Sequence, residues 1–200
     1  VHVHRAFAVD TARHLAIGGR YPGFLARPDR WKTWWLGAVP AGVALVKRFA
    51  PQALWSTYPI ATAHAIAHTL QRRTSLPWIA DFRDPMAQEG YPADPMTWRA
   101  FKRVEERVVD RAARLVFTTP GAQKMYRARY AAQPADRFAL IENGYDEDVF
   151  APLDGGNRTP LTPGKLTLLH SGIVYPDERD PSCLIAALGQ LLRQSPSIAQ

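Results

Sequence analysis

The chain has 200 residues, 46% hydrophobic and 22% charged, with no apolar run near the ~18 residues of a membrane span, a composition that excludes a disordered tail and a helical membrane anchor. Its one cysteine, Cys183, excludes an internal disulfide framework; we read it as a helix-packing residue and take a reducing cytoplasm as the simplest compartment. The net charge of +7 points to acidic partners, whether phosphate-bearing substrates, nucleic acid or an anionic membrane surface, and does not choose among them.

The chain opens on Val1, not Met, in an alternating VHVHRAFAV that predicts a strand, so we expect a fragment with elements upstream. After a polar loop, residues 36–49 predict a helix with Pro40 and Gly42 in its first turns and Pro51 as its stop. ALWST (53–57) predicts a strand, residues 62–73 a helix with Ala and Ile inward, and PWIADF the next strand. A Pro- and Gly-containing loop from 83 to 95 is long for an α/β connection, and long loops in compact domains tend to carry function. A helix over 96–113 then places Trp98, Phe101, Val104, Val108 and Ala112 on one face, with Arg and Glu opposite. RLVFTT (114–119) is a strand, Thr119-Pro120 caps and starts a helix, and FALIEN (138–143) is a further strand ended by Gly144.

Alternating strands and helices imply a parallel α/β sheet, a Rossmann-like architecture. Residues 1–145 form the first domain on this reading. Residues 146–165, rich in Pro, Gly, Asp and Thr, are a linker, and 166–200 begin a second α/β domain with one strand (165–172) and one helix capped by Asp180-Pro181.

Open parallel sheets bind ligands beyond the carboxyl ends of their strands. Four predicted strand ends bring polar or small residues there: Ser56-Thr57-Tyr58; Asp81, Arg83 and Asp84; Asn143-Gly144-Tyr145; and Ser171-Gly172. The structural alternative is an Asp81–Arg83 pair with Asp84 capping a turn before Pro85. Gly144 itself reads as a turn glycine.

His64 and His68 share a helix face at metal-ligand spacing, but HAIAH lacks the glutamate of a zinc-protease motif and a third ligand in sequence, which favours packing. No dinucleotide glycine fingerprint, Walker loop or nucleophile elbow occurs. Trp31, Trp34 and Trp35 with Arg30 and Lys32 precede an apolar helix; we read most of this as core, with contact to an anionic membrane as the minority reading.

Taken in order, ARPDRWKTWW, ALWSTYPIATAHAIAH, PWIADFRDP, Arg103-Val104-Glu105 leading into AARLVFTTP, LIENGYDEDVF and LLHSGIVYPDERDPSCLIAAL resemble bacterial glycosyltransferases of the GT-B fold, the family 4 (group 1) retaining enzymes. The resemblance covers nearly the whole chain, and NGYDEDVF followed by a strand ending in Ser-Gly is its most specific part. It implies two facing Rossmann-like domains, an N-terminal one for the acceptor and a C-terminal one for a nucleotide-sugar donor. Sugar would pass to a lipid-linked or polysaccharide acceptor at the inner face of the cytoplasmic membrane, in cell-envelope or exopolysaccharide synthesis. The nucleotide sugar would be a co-substrate, and no cofactor or metal is implied.

By the same resemblance, Asp81, Arg83 and Asp84 line the acceptor side, with Thr57, His64 and Asn143 as neighbours. Gly172 lets backbone approach the donor diphosphate, and Arg179 offsets leaving-group charge. The family's early glycine-rich loop would precede Val1; its phosphate-binding Lys and paired-glutamate motif would follow Gln200. The 200 residues alone are therefore expected to be inactive, with apolar surface exposed where the sheet is incomplete. The runner-up is a basic, non-catalytic module on nucleic acid or anionic lipid. It ranks lower because the Arg residues spread around helices and no nucleic-acid-binding signature occurs, so nucleic acid is not expected as a partner. A sugar-epimerase-type Rossmann enzyme fits less well than two facing domains.

Overall fold

Strands β1 (Leu54–Thr57), β2 (Trp78–Phe82), β3 (Arg114–Phe117) and β4 (Phe138–Leu140) lie in that order in one all-parallel sheet. The computed structural model describes residues 2–151, 161–174 and 180–195, and the chain divides into two units, Val1–Tyr145 and Asp146–Gln200. In the first unit each strand leads to the next through a helix: α3 (Ala61–Thr74), α4 (Pro95–Arg111) and α5 (Pro120–Arg129). Sequential parallel strands joined by right-handed crossovers place these three helices on one face of the sheet. The fold is thus of the Rossmann-like α/β class that the alternation of elements predicts.

Strand register decides which side chains meet those helices. Ala80 stands beside Ser56 and Leu115, and Phe82 beside Phe117. Trp78, Ala80, Phe82, Leu115, Phe117 and Phe138 share the helix-covered face and form one core with Phe101 and Val108 of α4 and Tyr126 of α5. The Phe82 and Phe117 rings stack at 5.6 Å, and Tyr126 lies 5.0 and 4.8 Å from the two. Each buried phenylalanine contributes roughly 1.5–3 kcal/mol. On the other face Trp55 is 56% exposed, and Ile79 and Asp81 are half-buried.

Local sequence explains the helix ends. The Asp94 side chain accepts from Thr97 N at 2.9 Å ahead of Pro95, and Thr119 Oγ1 accepts from Ala122 N at 3.2 Å ahead of Pro120. The helix α2 (Trp34–Phe49) and α3 stop at left-handed residues, Ala50 (φ 45°) and Ser75 (φ 56°).

Three expectations fail. Residues 2–9 form no strand. The segment makes no ladder; its backbone runs beside α2, with Val9 N donating to Thr33 Oγ1 at 2.8 Å and Thr33 Oγ1 donating to Val9 O at 2.7 Å, while the Val3 and Phe7 side chains stay exposed. A short helix α1 (Thr11–His14) follows. Second, α2 begins at Trp34, two residues ahead of the predicted start, so Pro40 lies deeper inside it than the first turns expected for it. The missing proline N–H then leaves the carbonyl of Leu36 without its helical donor.

Third, in the second unit residues 165–172 form no strand; a lone strand has no ladder to join. The described part of that unit holds α6 (Glu147–Phe150) and α7 (Ser182–Gln194), the latter preceded by Asp180, whose Oδ1 accepts from Ser182 N at 2.9 Å.

Candidate functional site

The carboxyl ends of β2, β3 and β4 open into a cleft of about 730 Å³ within the first unit. Arg83 and Asp84 enter it from the loop after β2, Thr118 and Thr119 from the turn after β3, and Asn143 from the segment after β4. The first turn of α5, at Gly121 and Ala122, closes one wall. Strand ends gather here because parallel neighbours all terminate on the same edge of the sheet.

Two contacts tie these loops together. Thr118 Oγ1 donates to the Arg83 carbonyl at 2.8 Å, and Arg83 Nη2 donates to Asn143 Oδ1 at 3.4 Å. Arg83 and Asp84 are exposed, so the guanidinium and carboxylate face solvent and stay available to a ligand.

Of the residues singled out in the sequence, Arg83, Asp84 and Asn143 share this cleft. Asp81 and Thr57 do not line it. They sit side by side on the sheet face opposite the helix layer, where Thr57 Oγ1 donates to Asp81 Oδ2 at 2.9 Å. Asp81 therefore takes Thr57 as its partner and not Arg83, because the register sets Thr57 beside Asp81. Gly172 lies in the second unit and is exposed; Arg179 lies outside the described residues.

His64 is a core residue and does not line the strand-end cleft. It is fully buried, and its Nδ1 lies 2.7 Å from Ser56 Oγ, which also accepts from Trp78 Nε1 at 2.8 Å. Its ring packs 5.1 Å from Phe82. Burial drives its pKa down to about 3, so it is neutral at any physiological pH. Nothing brings His64 to a ligand, and its expected place beside the acceptor is corrected accordingly. The packing alternative noted for the His64–His68 pair is the one found.

Sequence reasoning missed a second feature that shapes the cleft. Glu105, expected on the exposed side of α4, is fully buried. Its Oε2 accepts from Tyr126 Oη at 2.6 Å and from Ala87 N at 3.2 Å, and its Oε1 accepts from Tyr130 Oη at 2.5 Å and Arg129 Nη1 at 2.9 Å. Burial pushes the carboxyl up, but these hydrogen bonds and the Arg129 charge outweigh it and hold Glu105 below its ordinary value. Burial, then the Glu105 charge, raises Tyr126, which keeps that hydroxyl protonated as a donor. Tyr126 Oη also accepts from Met86 N at 3.0 Å. The carboxylate thus pins Met86 and Ala87, just beyond Asp84, to the helix layer.

Thr118 and Thr119 were also missed as cleft residues. The strand-end rule that singled out Arg83 and Asn143 applies equally to the end of β3, where Thr119 had been read only as a helix cap.

Chemically, the cleft offers a cation, a carboxylate acceptor, two hydroxyls and an amide oxygen within one concave wall. Such a set suits a ligand rich in hydroxyl groups. Among the described residues no group of three or more His, Cys, Asp or Glu side chains could hold a metal ion, and no helix is long and apolar enough to cross a membrane. No protein-family model matches the chain, and no curated protein matches it.

Proposed function

We propose that this chain supplies the acceptor side of a glycosyltransferase of the GT-B fold, in which sugar passes from a nucleotide-sugar donor to a lipid-linked or glycan acceptor at the inner face of the cytoplasmic membrane. The observation that carries the proposal is the cleft at the ends of β2, β3 and β4, where Arg83, Asp84 and Asn143 meet. The Rossmann-like sheet and the ordered motifs from ARPDRWKTWW to LIENGYDEDVF support it further.

On this reading Asp84 accepts a hydrogen bond from an acceptor hydroxyl, and Arg83, steadied by Asn143, holds the acceptor's oxygens or phosphate. The donor diphosphate would leave toward the second domain, where Gly172 and Arg179 are the proposed contacts. Transfer would proceed with retention and without a metal.

The test is a transfer assay in the longer parent protein that this reading requires, with a panel of nucleotide sugars and lipid-phosphate acceptors. Arg83→Ala and Asp84→Ala should each cut turnover by about 100-fold, the scale of losing one positioned polar group. Turnover that falls only in step with thermal stability would assign these charges to loop structure instead.

A further inference from the structure

We propose that a second cavity in the first unit, of about 490 Å³, binds a single-chain lipid with an anionic head. It shares no lining residue with the strand-end cleft, so the inference stands on this cavity and not on the transferase reading.

The cavity exists because α2 and α4 both pack against α3, and α3 presents only small residues between them. Trp35 and Leu36 of α2 form one wall, Ala100 and Val104 of α4 the other, and Ala65 of α3 the floor. The wall is left apolar because its hydroxyls and indole N–H are already engaged. Thr33 Oγ1 is bonded to Val9, Thr62 Oγ1 donates to Asp29 Oδ1 at 3.0 Å, and Trp35 Nε1 donates to Thr69 Oγ1 at 3.0 Å. Its volume falls within the about 300–1,000 Å³ of small-molecule sites, which are mostly apolar with a few fixed polar groups.

Three cations, Lys32, Arg103 and Arg107, are the charged groups of its lining, and no carboxylate joins them. The acids of α4 are committed elsewhere: Glu105 to Arg129 and Lys102, Glu106 to Lys102, and Asp110 to Arg111. The Asp29 carboxylate accepts from the Thr62 N–H at 2.7 Å, the Thr62 hydroxyl and the Trp31 N–H at 2.8 Å, and makes no ion pair with Arg103 or Arg107. Positive charge at Arg103 and Arg107 is therefore left without an ion-pair partner among the described residues, one helical turn apart on one face of α4. An apolar slot with an unpaired basic rim complements an alkyl or prenyl chain ending in phosphate or carboxylate.

The experiment titrates the chain with monomeric dodecyl phosphate and follows the methyl NMR signals of Ala65, Ala100 and Val104. Dodecyl phosphate should shift all three saturably. Dodecyl maltoside, with the same tail and no charge, should bind at least about tenfold more weakly, and inorganic phosphate should leave the methyls unmoved. The double variant Arg103→Gln/Arg107→Gln, both exposed positions, should keep the thermal midpoint and lose about tenfold in affinity for dodecyl phosphate. Ala100→Phe, at a half-buried position, should block binding by filling the slot. Unmoved methyls, equal binding of the two detergents, an unaltered double variant, or binding that survives Ala100→Phe would each overturn the proposal.

Discussion

Tyr126 Oη donates to Glu105 Oε2 at 2.6 Å and accepts from the Met86 amide at 3.0 Å, so one phenol couples α4 and α5 to the loop that carries Asp84. A buried carboxylate in a helix that the sequence marks as amphipathic is costly unless every lone pair is answered, and here two phenols, a guanidinium, the Lys102 ammonium and a backbone amide answer it.

Glu105→Gln should therefore destabilise the first unit by about 3 kcal/mol or more, because it leaves Arg129 without its counter-charge. Tyr126→Phe should cost about 1–3 kcal/mol, since it strands the Met86 amide. Urea denaturation of both single variants and the double variant would show coupling between them. Strict additivity would mean that the two groups do not act as one network.

The strands and α3–α5 were legible because short apolar runs, a 3.6-residue period and the Thr119-Pro120 cap all agreed. Glu105 was not legible: its partners, Tyr126, Arg129 and Tyr130, lie more than twenty residues away, and only the fold brings them to it. VHVHRAFAV shows the converse limit, since alternation alone makes no strand where no neighbouring strand pairs with it, and Val3 and Phe7 stay exposed. In the site, Arg83, Asp84 and Asn143 followed from strand ends alone. Asp81 was lost to the cleft because register and pleat, which a sequence does not display, turned it toward Thr57.

His64 predicts a pH dependence. Its folded pKa of about 3 lies below the ordinary 6.5, so the unfolded chain takes up a proton first as pH falls. Stability is full above about pH 6.5 and declines toward pH 3 by roughly 1.4 kcal/mol per pH unit. Half-buried His68, also lowered, adds a smaller part, and Glu105 adds its own loss only in the carboxylate range. Between pH 6.5 and 5, His64→Gln should flatten most of the slope in urea midpoints. An unchanged slope would place the titrating group elsewhere.

Gly37 is where the N-terminal segment meets α2. A methyl group there would stand 2.5 Å from the Phe7 carbonyl oxygen and 2.9 Å from its nitrogen, both backbone atoms with little room to yield. Gly37→Ala should improve helix propensity by about 1 kcal/mol yet lift residues 2–9 off the helix. Limited proteolysis should cut at Arg5 faster in the variant while the core strands stay protected. Equal cutting rates would mean that the segment is not held at this point.

The most direct test of the acceptor-side reading compares turnover with stability at the cleft. In the parent protein, sugar transfer and thermal midpoint should be measured together for the natural sequence, Arg83→Ala and Asp84→Ala, with Thr57→Val as a control at the neighbouring strand end outside the cleft. The account predicts an about 100-fold fall in transfer for the two cleft variants at unchanged midpoint, and near-normal transfer for the control. Undiminished transfer in both cleft variants, or no transfer from any nucleotide sugar by the natural sequence, would contradict it.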